Sequence, residues 1–354
     1  MKKIAIIGCG KIFLKHYEAI KIQEKKKKMR LVAVCDKNNT SLNQIKDKTI
    51  NKYTNLNDLF KNEKLDLISI LTPSGFHYQN AIKCLGKVKT IIIEKPVTLK
   101  ISHAERLLRE SNKKGTRIYV VLQNRFNDPI VELKKAIENN QFGKLYLATV
   151  RLRWSRGLKY YSQSKWRGTW ELDGGVIANQ SSHFIDLFQW LFGMPYKVFS
   201  RMEQMQKINK EVEDTSLAIF EYNHEKKLGL IEATNAIRPK NLEGSISIIG
   251  EKGTAIVGGI AGEQLIEWTM NKNKKINKLL KTKSKKKNGH VKFYDYIMKN
   301  YHKKSNFLTL EEGIKSLKIV NSIYKSSTKN TPFLINKVRD TFLGNKKKFN
   351  ENRF

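Results

Sequence analysis

Acidic residues are in short supply: 32 Asp and Glu stand against 68 Lys and Arg, a formal net charge of +36. Cysteine is scarce too. Cys9, Cys35 and Cys84 have the spacing of neither a metal site nor a disulfide framework, which reads as a reduced, cytoplasmic chain. No run approaches the ~18 apolar residues of a membrane span. The apolar run at residues 4–8 is too short for the core of a signal sequence, and no small-residue cleavage site follows it. No internal repeat is visible.

The positive excess raises nucleic acid or an anionic membrane as a partner. Two features count against both. The lysines are scattered among many Asn and Ile, the composition that AT-rich codons give. The densest part, residues 272–292, has ten lysines, no acid and no aromatic for stacking, and reads as a solvated loop. Salt-sensitive polyanion binding is expected; a specific nucleic-acid or membrane partner is not.

What is present is an alternation of strands and helices in a chain of 354 residues, enough for two domains. Residues 3–7 form an apolar run, followed by Gly8-Cys9-Gly10-Lys11-Ile12-Phe13 and a helical segment. Strand, Gly-x-Gly, helix opens a dinucleotide-binding fold, because the glycines let backbone N–H groups approach a pyrophosphate. Phe13 stands where that fingerprint has a third small residue. A second apolar strand, 31–35, ends on Asp36, placed to accept from the adenosine 2′-hydroxyl and favouring NAD over NADP. A third, 65–71, ends on Thr72-Pro73, with His77 opening the next helix.

The fourth strand, Ile91-Ile92-Ile93, stops on Glu94-Lys95-Pro96. In open α/β sheets ligands bind beyond the carboxyl ends of strands, and a partly desolvated lysine there suits proton transfer. The plainer alternative is a strand end with a surface salt bridge. Another helix and a strand at 118–122 lead to Gln123. The repeated β-α-β order predicts a doubly wound parallel sheet. The expected cofactor set is Gly8, Gly10, Lys11, Ile12, Asp36, Thr72, Pro73, His77, Glu94, Lys95 and Gln123.

After Arg125 the texture changes to a helix at 129–140, a strand at 144–154 and a stretch, 151–170, with six basic residues, five aromatics and no acid. Tyr, Trp and Arg together suit stacking on a ring while holding a carboxylate or phosphate. A loop packing its aromatics on the second domain is the alternative. Gly174-Gly175 then leads into an amphipathic helix with Phe184, Leu187, Phe188 and Leu191 on one face. Asn179, His183 and Asp186 fall on another, so Asp186 is expected to orient the His183 imidazole. Alternating strands between 197 and 257 predict an antiparallel sheet with one face as a subunit interface; a helix at 310–324 and a basic tail follow.

Gly8-Cys9-Gly10, Thr72-Pro73, Glu94-Lys95-Pro96 and the Gly174-Gly175 helix with Asn179 and His183 together resemble the glucose–fructose oxidoreductase, inositol dehydrogenase and MocA (Gfo/Idh/MocA) family, over nearly the whole chain to residue 335. The resemblance implies an NAD(P)-binding Rossmann domain over 1–124, an α/β domain with an open, mostly antiparallel sheet for substrate and oligomerisation over 125–336, and a tail over 337–354. It implies metal-free oxidation or reduction of a sugar or polyol alcohol, with Lys95 and His183 as the catalytic pair and Pro96 in a cis bond. Asn179 stands where many members have Asp, which removes a negative charge. The expected substrate contacts are Lys95, Arg125, Arg153, Tyr161, Trp166, Arg167, Asn179 and His183.

Trp166-Arg167-Gly168-Thr169-Trp170 followed by Asp173-Gly174-Gly175 most resembles the family's dehydrogenases acting at C3 of UDP-N-acetylglucosaminuronic acid, which serve the synthesis of diaminouronic sugars for surface polysaccharides. The expectation is an NAD-dependent sugar dehydrogenase, assembled as a homodimer or homotetramer through its C-terminal sheet. The alternatives are a dehydrogenase of another sugar or polyol, or a cofactor- or sugar-binding module without catalysis.

Overall fold

A computed structural model describes residues 1–281, 289–303 and 305–346, arranged as two units. The first holds six strands: β1 (Lys2–Ile7), β2 (Met29–Cys35), β3 (Asn51–Tyr53), β4 (Leu67–Ile70), β5 (Thr90–Ile93) and β6 (Arg117–Val120). They form one parallel sheet in the order β3-β2-β1-β4-β5-β6. Ile4, Ala5, Ile6, Ile91, Ile92 and Ile93 are fully buried. Strands of a parallel sheet covered by helices on both faces read as continuous apolar runs, which is why these are visible in the sequence. The order reverses between β1 and β4, the place where such sheets open a ligand crevice.

The second unit carries β7 (Leu145–Arg153), β8 (Lys197–Glu203), β9 (Thr215–Glu221), β10 (Leu228–Thr234), β11 (Glu243–Gly250), β12 (Gly253–Gly258), β13 (Gln264–Trp268) and β14 (Phe333–Leu334). Their order is β13-β12-β11-β7-β10-β9-β8-β14. All pairs are antiparallel except β7 with β10. In β8 and β9 buried and exposed residues alternate strictly, the mark of a sheet with one covered face. The cover is the helix Ser182–Phe192, whose Phe184, Leu187, Phe188 and Leu191 are all buried. Gly229 of β10 is there for Phe188, because a Cβ would come within 2.4 Å of that ring.

Three expectations about organisation change. The domains are not contiguous: the chain returns to the first unit over 289–314, and residues 99–101 belong with the second. Hydrophobic periodicity finds a helix but does not say which sheet it covers. The lysine-rich stretch expected as a loop is helical at Lys274–Lys281, where Ile276 is buried, and again from Gly289; residues 282–288 lie outside the described residues. The expected tail packs as far as residue 346. Leu343 is fully buried, Phe342 lies edge-on to Trp170, and Lys100 donates to Asn345 Oδ1 at 2.6 Å. Residues 347–354 lie outside the described residues.

Candidate active site

The first unit builds a dinucleotide cradle at the carboxyl ends of its strands. Gly8 has φ +95°, and a Cβ there would meet Leu71 C and Thr72 N at 2.8 Å. Only glycine allows the turns after β1 and β4 to come this close. At Gly10 a Cβ would meet nothing within 4 Å, so the backbone lies open. The helix Phe13–Lys25 that follows has no side-chain cap at its N-terminus, a site suited to a phosphate. Lys11 is exposed and Ile12 half-buried beside it. Asp36 accepts from Cys9 N at 2.7 Å with one oxygen and from Asn38 N at 2.9 Å with the other. A carboxylate has about four acceptor positions, so a ribose hydroxyl still has a place. These residues fit NAD. Phe13 does not disturb the helix packing, because it is half-exposed and stacks on Tyr17 while His16, Ala19 and Ile20 face inward.

Thr72 and Pro73 form the turn after β4, and Gln123 follows β6, all half-buried. The His77 ring is engaged within the protein. It is buried, with Nδ1 2.8 Å from Pro96 O and Nε2 2.8 Å from Thr72 O, which leaves neither nitrogen for a ligand. It ties the turn after β4 to the turn after β5. The Lys95–Pro96 bond is cis. Lys95 is half-buried, and its N–H donates to Glu94 Oε2 at 3.0 Å. Glu94 points inward as well: Oε1 lies 2.9 Å from His16 Nε2 and 3.8 Å from His290 Nε2. Its carboxylate is engaged by the interior.

In the second unit a π-helical turn, Val176–Gln180, precedes the helix of His183. Such turns recur at functional sites. In the helix Ser182–Phe192 only His183 and Trp190 are not fully buried. Asn179 donates to Asp173 Oδ1 at 2.5 Å, and Asp173 Oδ2 accepts from Gly168 N at 2.8 Å. A buried carboxylate, Asp173, thus lies directly beside Asn179. Beneath the turn, Glu213 Oε1 accepts from Ile177 N and from the Tyr324 hydroxyl, both at 3.0 Å. Burial pushes the Glu213 carboxyl up to about 7, against the opposing effect of those two donors.

Asp186 does not orient His183. Its two oxygens are 2.8 Å from Arg125 Nε and 2.6 Å from Nη2, and both side chains are buried. Two nitrogens of Arg125 are thus engaged by an internal carboxylate. Arg153 is likewise engaged, with Glu232 at 2.5 and 2.9 Å and Glu243 at 3.3 Å. Tyr161 turns inward, where Asn235 Nδ2 reaches its hydroxyl at 3.4 Å.

Arg167 and Trp166 remain half-exposed. Arg167 donates to the Tyr160 hydroxyl at 2.5 Å and lies 4.5 Å from that ring's centroid and 4.7 Å from that of Trp166. Arg156 packs on the same Tyr160, at 5.2 Å. Gln180 Nε2 reaches the Tyr160 hydroxyl at 3.2 Å and is itself held by Asn235 at 2.9 Å through Oε1. Arg156, Tyr160 and Gln180 were missed as individual residues, although Arg156 and Tyr160 belong to the basic, aromatic stretch that the sequence makes visible. Among the described residues neither Arg156 nor Arg167 forms an ion pair with a carboxylate.

Residues 2–122 match the oxidoreductase family's NAD-binding Rossmann fold, and residues 134–335 match the same family's C-terminal alpha/beta domain. The chain is 32% identical to the WlbA dehydrogenase from Bordetella pertussis, solved in complex with NADH and UDP-GlcNAcA; the match covers 94% of this chain and 96% of that one, with a TM-score of 0.86. The WlbA dehydrogenase from Chromobacterium violaceum, solved with the same two ligands, is 30% identical over 94% of this chain and 95% of its own, with a TM-score of 0.87. A curated relative, scyllo-inositol 2-dehydrogenase (NADP(+)) of Bacillus subtilis, is 27% identical over 59% of this chain and 56% of its own length. The chain thus spans little more than half of that relative. With both domain matches and two full-length structural relatives, the chain belongs to the Gfo/Idh/MocA family of NAD-binding oxidoreductases.

Proposed function

We propose that the protein oxidises a secondary alcohol of an anionic sugar nucleotide with NAD as hydride acceptor, the substrate being UDP-N-acetylglucosaminuronic acid and the carbon C3. The observation that carries this reading is the pair of guanidiniums, Arg156 and Arg167, packed on Tyr160 with no carboxylate partner among the described residues. Two cations set on an aromatic ring without an internal acid suit a ligand that brings negative charge and a flat base. The match to dehydrogenases solved with UDP-GlcNAcA supports the same choice. Formation of a surface polysaccharide's diaminouronic sugar would consume the product.

In this reading NAD supplies the hydride acceptor. His183 takes the hydroxyl proton, and Lys95 donates a hydrogen bond to the developing alkoxide as the C–H electron pair leaves. The alcohol becomes a ketone and one proton is released. Asn179 and Asp173 hold the turn that carries His183. Replacing Lys95 with Ala lowers kcat by about 10²-fold or more, the scale of general acid–base help. Turnover close to that of the unaltered protein would falsify this assignment.

The same reading places the protein in the cytoplasm, where its three buried cysteines stay reduced; cell fractionation tests this. Among the described residues no helix is long and apolar enough to cross a membrane. It also assigns self-association, as a homodimer or homotetramer, to the uncovered face of the eight-stranded sheet. There Phe199, Leu217 and Ile219 are 38%, 53% and 51% exposed, with Phe199 directly opposite Ile219. Specific nucleic-acid binding is no part of this function; retention on DNA that survives moderate salt would count against that.

A further inference from the structure

The first unit contains a buried polar chain that the reaction as described does not use. Ser69 of β4, Tyr294 and His290 of the helix Gly289–Lys299, His16 of the helix Phe13–Lys25 and Glu94 at the end of β5 are all buried. Tyr294 lies 3.2 Å from Ser69 Oγ and 2.8 Å from His16 Nδ1. His16 Nε2 lies 2.9 Å from Glu94 Oε1, and Glu94 Oε2 takes the backbone N–H of Lys95. We propose that His16 is a positioning residue for Lys95, acting through Glu94, with its other ring nitrogen held by Tyr294. The proposal rests on the reading of Lys95 as a catalytic residue.

The proton on His16 is placed by its carboxylate partner. Burial lowers the His16 pKa, so the ring is neutral and carries one N–H. Burial opposes ionisation of Glu94, but the imidazoles of His16 and His290 outweigh it and hold the carboxyl well below its usual range. A carboxylate only accepts, so the His16 proton sits on Nε2 and donates to Glu94. Nδ1 then faces the Tyr294 hydroxyl as an acceptor at 2.8 Å, and that hydroxyl also lies within reach of Ser69 Oγ at 3.2 Å. The last link holds the main-chain N–H of Lys95, at 3.0 Å from Glu94 Oε2. His16 lies on the helix that opens at the Gly8–Gly10 turn, so the element that receives the pyrophosphate also sets the lysine. His290 Nε2, 3.8 Å from Glu94 Oε1, makes no hydrogen bond, so the positioning chain runs through His16 alone.

His16, Glu94 and His290 also offer three ligand atoms within 4.8 Å of one another. A metal is the weaker reading. At 2.9 Å the His16–Glu94 contact is a hydrogen bond, and a metal would have to replace that proton.

The test uses the full chain with whichever alcohol it oxidises, in His16→Ala, His16→Gln and Tyr294→Phe. Glutamine keeps an N–H near the Nε2 position. The expected result is a kcat reduced at least tenfold in H16A with KM for NAD within threefold, substantial recovery in H16Q, and a severalfold loss in Y294F. A second readout needs no substrate: the rate at which a small amine reagent modifies Lys95, measured by peptide mass spectrometry against an exposed lysine. It is expected to rise at least fivefold in H16A and to stay within twofold in H16Q. This separates failure of the positioning chain from failure of the functional reading. Unchanged kcat and unchanged Lys95 labelling in H16A would overturn the proposal. So would one equivalent of zinc in the purified protein that is lost in His290→Ala.

Discussion

Both oxygens of Asp186 are taken by Arg125, and both side chains are buried. Removing one partner of such a pair leaves an uncompensated charge in the interior, at a cost of about 3–5 kcal/mol. Asp186→Ala is therefore expected to lower stability to urea by that amount. A stable variant with an altered pH profile of turnover would instead return Asp186 to His183. Arg156 and Arg167 give the opposite expectation, since among the described residues they have no acid to lose. Replacing either with Ala should raise KM for the anionic substrate about 10- to 100-fold, the worth of one hydrogen bond to a charged group, and leave kcat within a few-fold. An equal effect with a neutral sugar alcohol would contradict the role. Residue spacing made Lys95 and His183 visible because each ends or follows a strong local pattern. It left the role of Glu94 open and misplaced Asp186, because their partners lie 78 and 61 residues away and no local periodicity encodes them.

The turn Val176–Gln180 depends on Glu213. Gly175 has no room for a side chain, because a Cβ would sit 1.9 Å from Glu213 Oε2. With its pKa raised to about 7 from 4.5, Glu213 is protonated in the folded chain at pH values where the unfolded chain has already ionised. Stability is therefore lost as pH rises from about 4.5 to 7, by about 3 kcal/mol at most, and the loss stays constant above that. Glu213→Gln keeps an acceptor for Ile177 and Tyr324 and should flatten this slope in urea unfolding at pH 5 and 8. Equal slopes in the two proteins would rule Glu213 out as the source. At this scale the sequence was informative for strands. The expected run at 228–236 is β10, and the one at 144–154 is β7. The amphipathic helix of His183 was legible too. Its π-helical entry was not, because the extra residue per turn comes from tertiary contacts rather than from periodicity. That entry also breaks the register that put Asn179 and His183 on one regular helical face.

The parallel sheet and the mostly antiparallel sheet agree with what the alternation of elements implied, while the crossing of residues 289–314 back to the first unit had no local signal. Cross-strand pairs such as Arg153 with Glu232 and Lys197 with Glu221 engage only a few of the 68 basic residues, and the 32 acids leave the net charge of +36 unpaired. The uncovered face around Phe199, Leu217 and Ile219 is expected to hold subunits together. Ile219→Lys should shift the species seen by light scattering towards the monomer, whereas an unchanged mass would place the interface elsewhere.

Oxidation of an anionic sugar nucleotide by NAD, with Lys95 at the reacting hydroxyl, has a direct optical signature. The most direct measurement is a single-turnover scan at about 340 nm with enzyme and NAD at matched concentrations, so that retained NADH is counted. With UDP-N-acetylglucosaminuronic acid the account predicts prompt formation of NADH, at least ten times faster than with the uncharged UDP-N-acetylglucosamine and slowed about 10²-fold in Lys95→Ala. No NADH from the acid, or equal rates in the protein and its Lys95 variant, would contradict it.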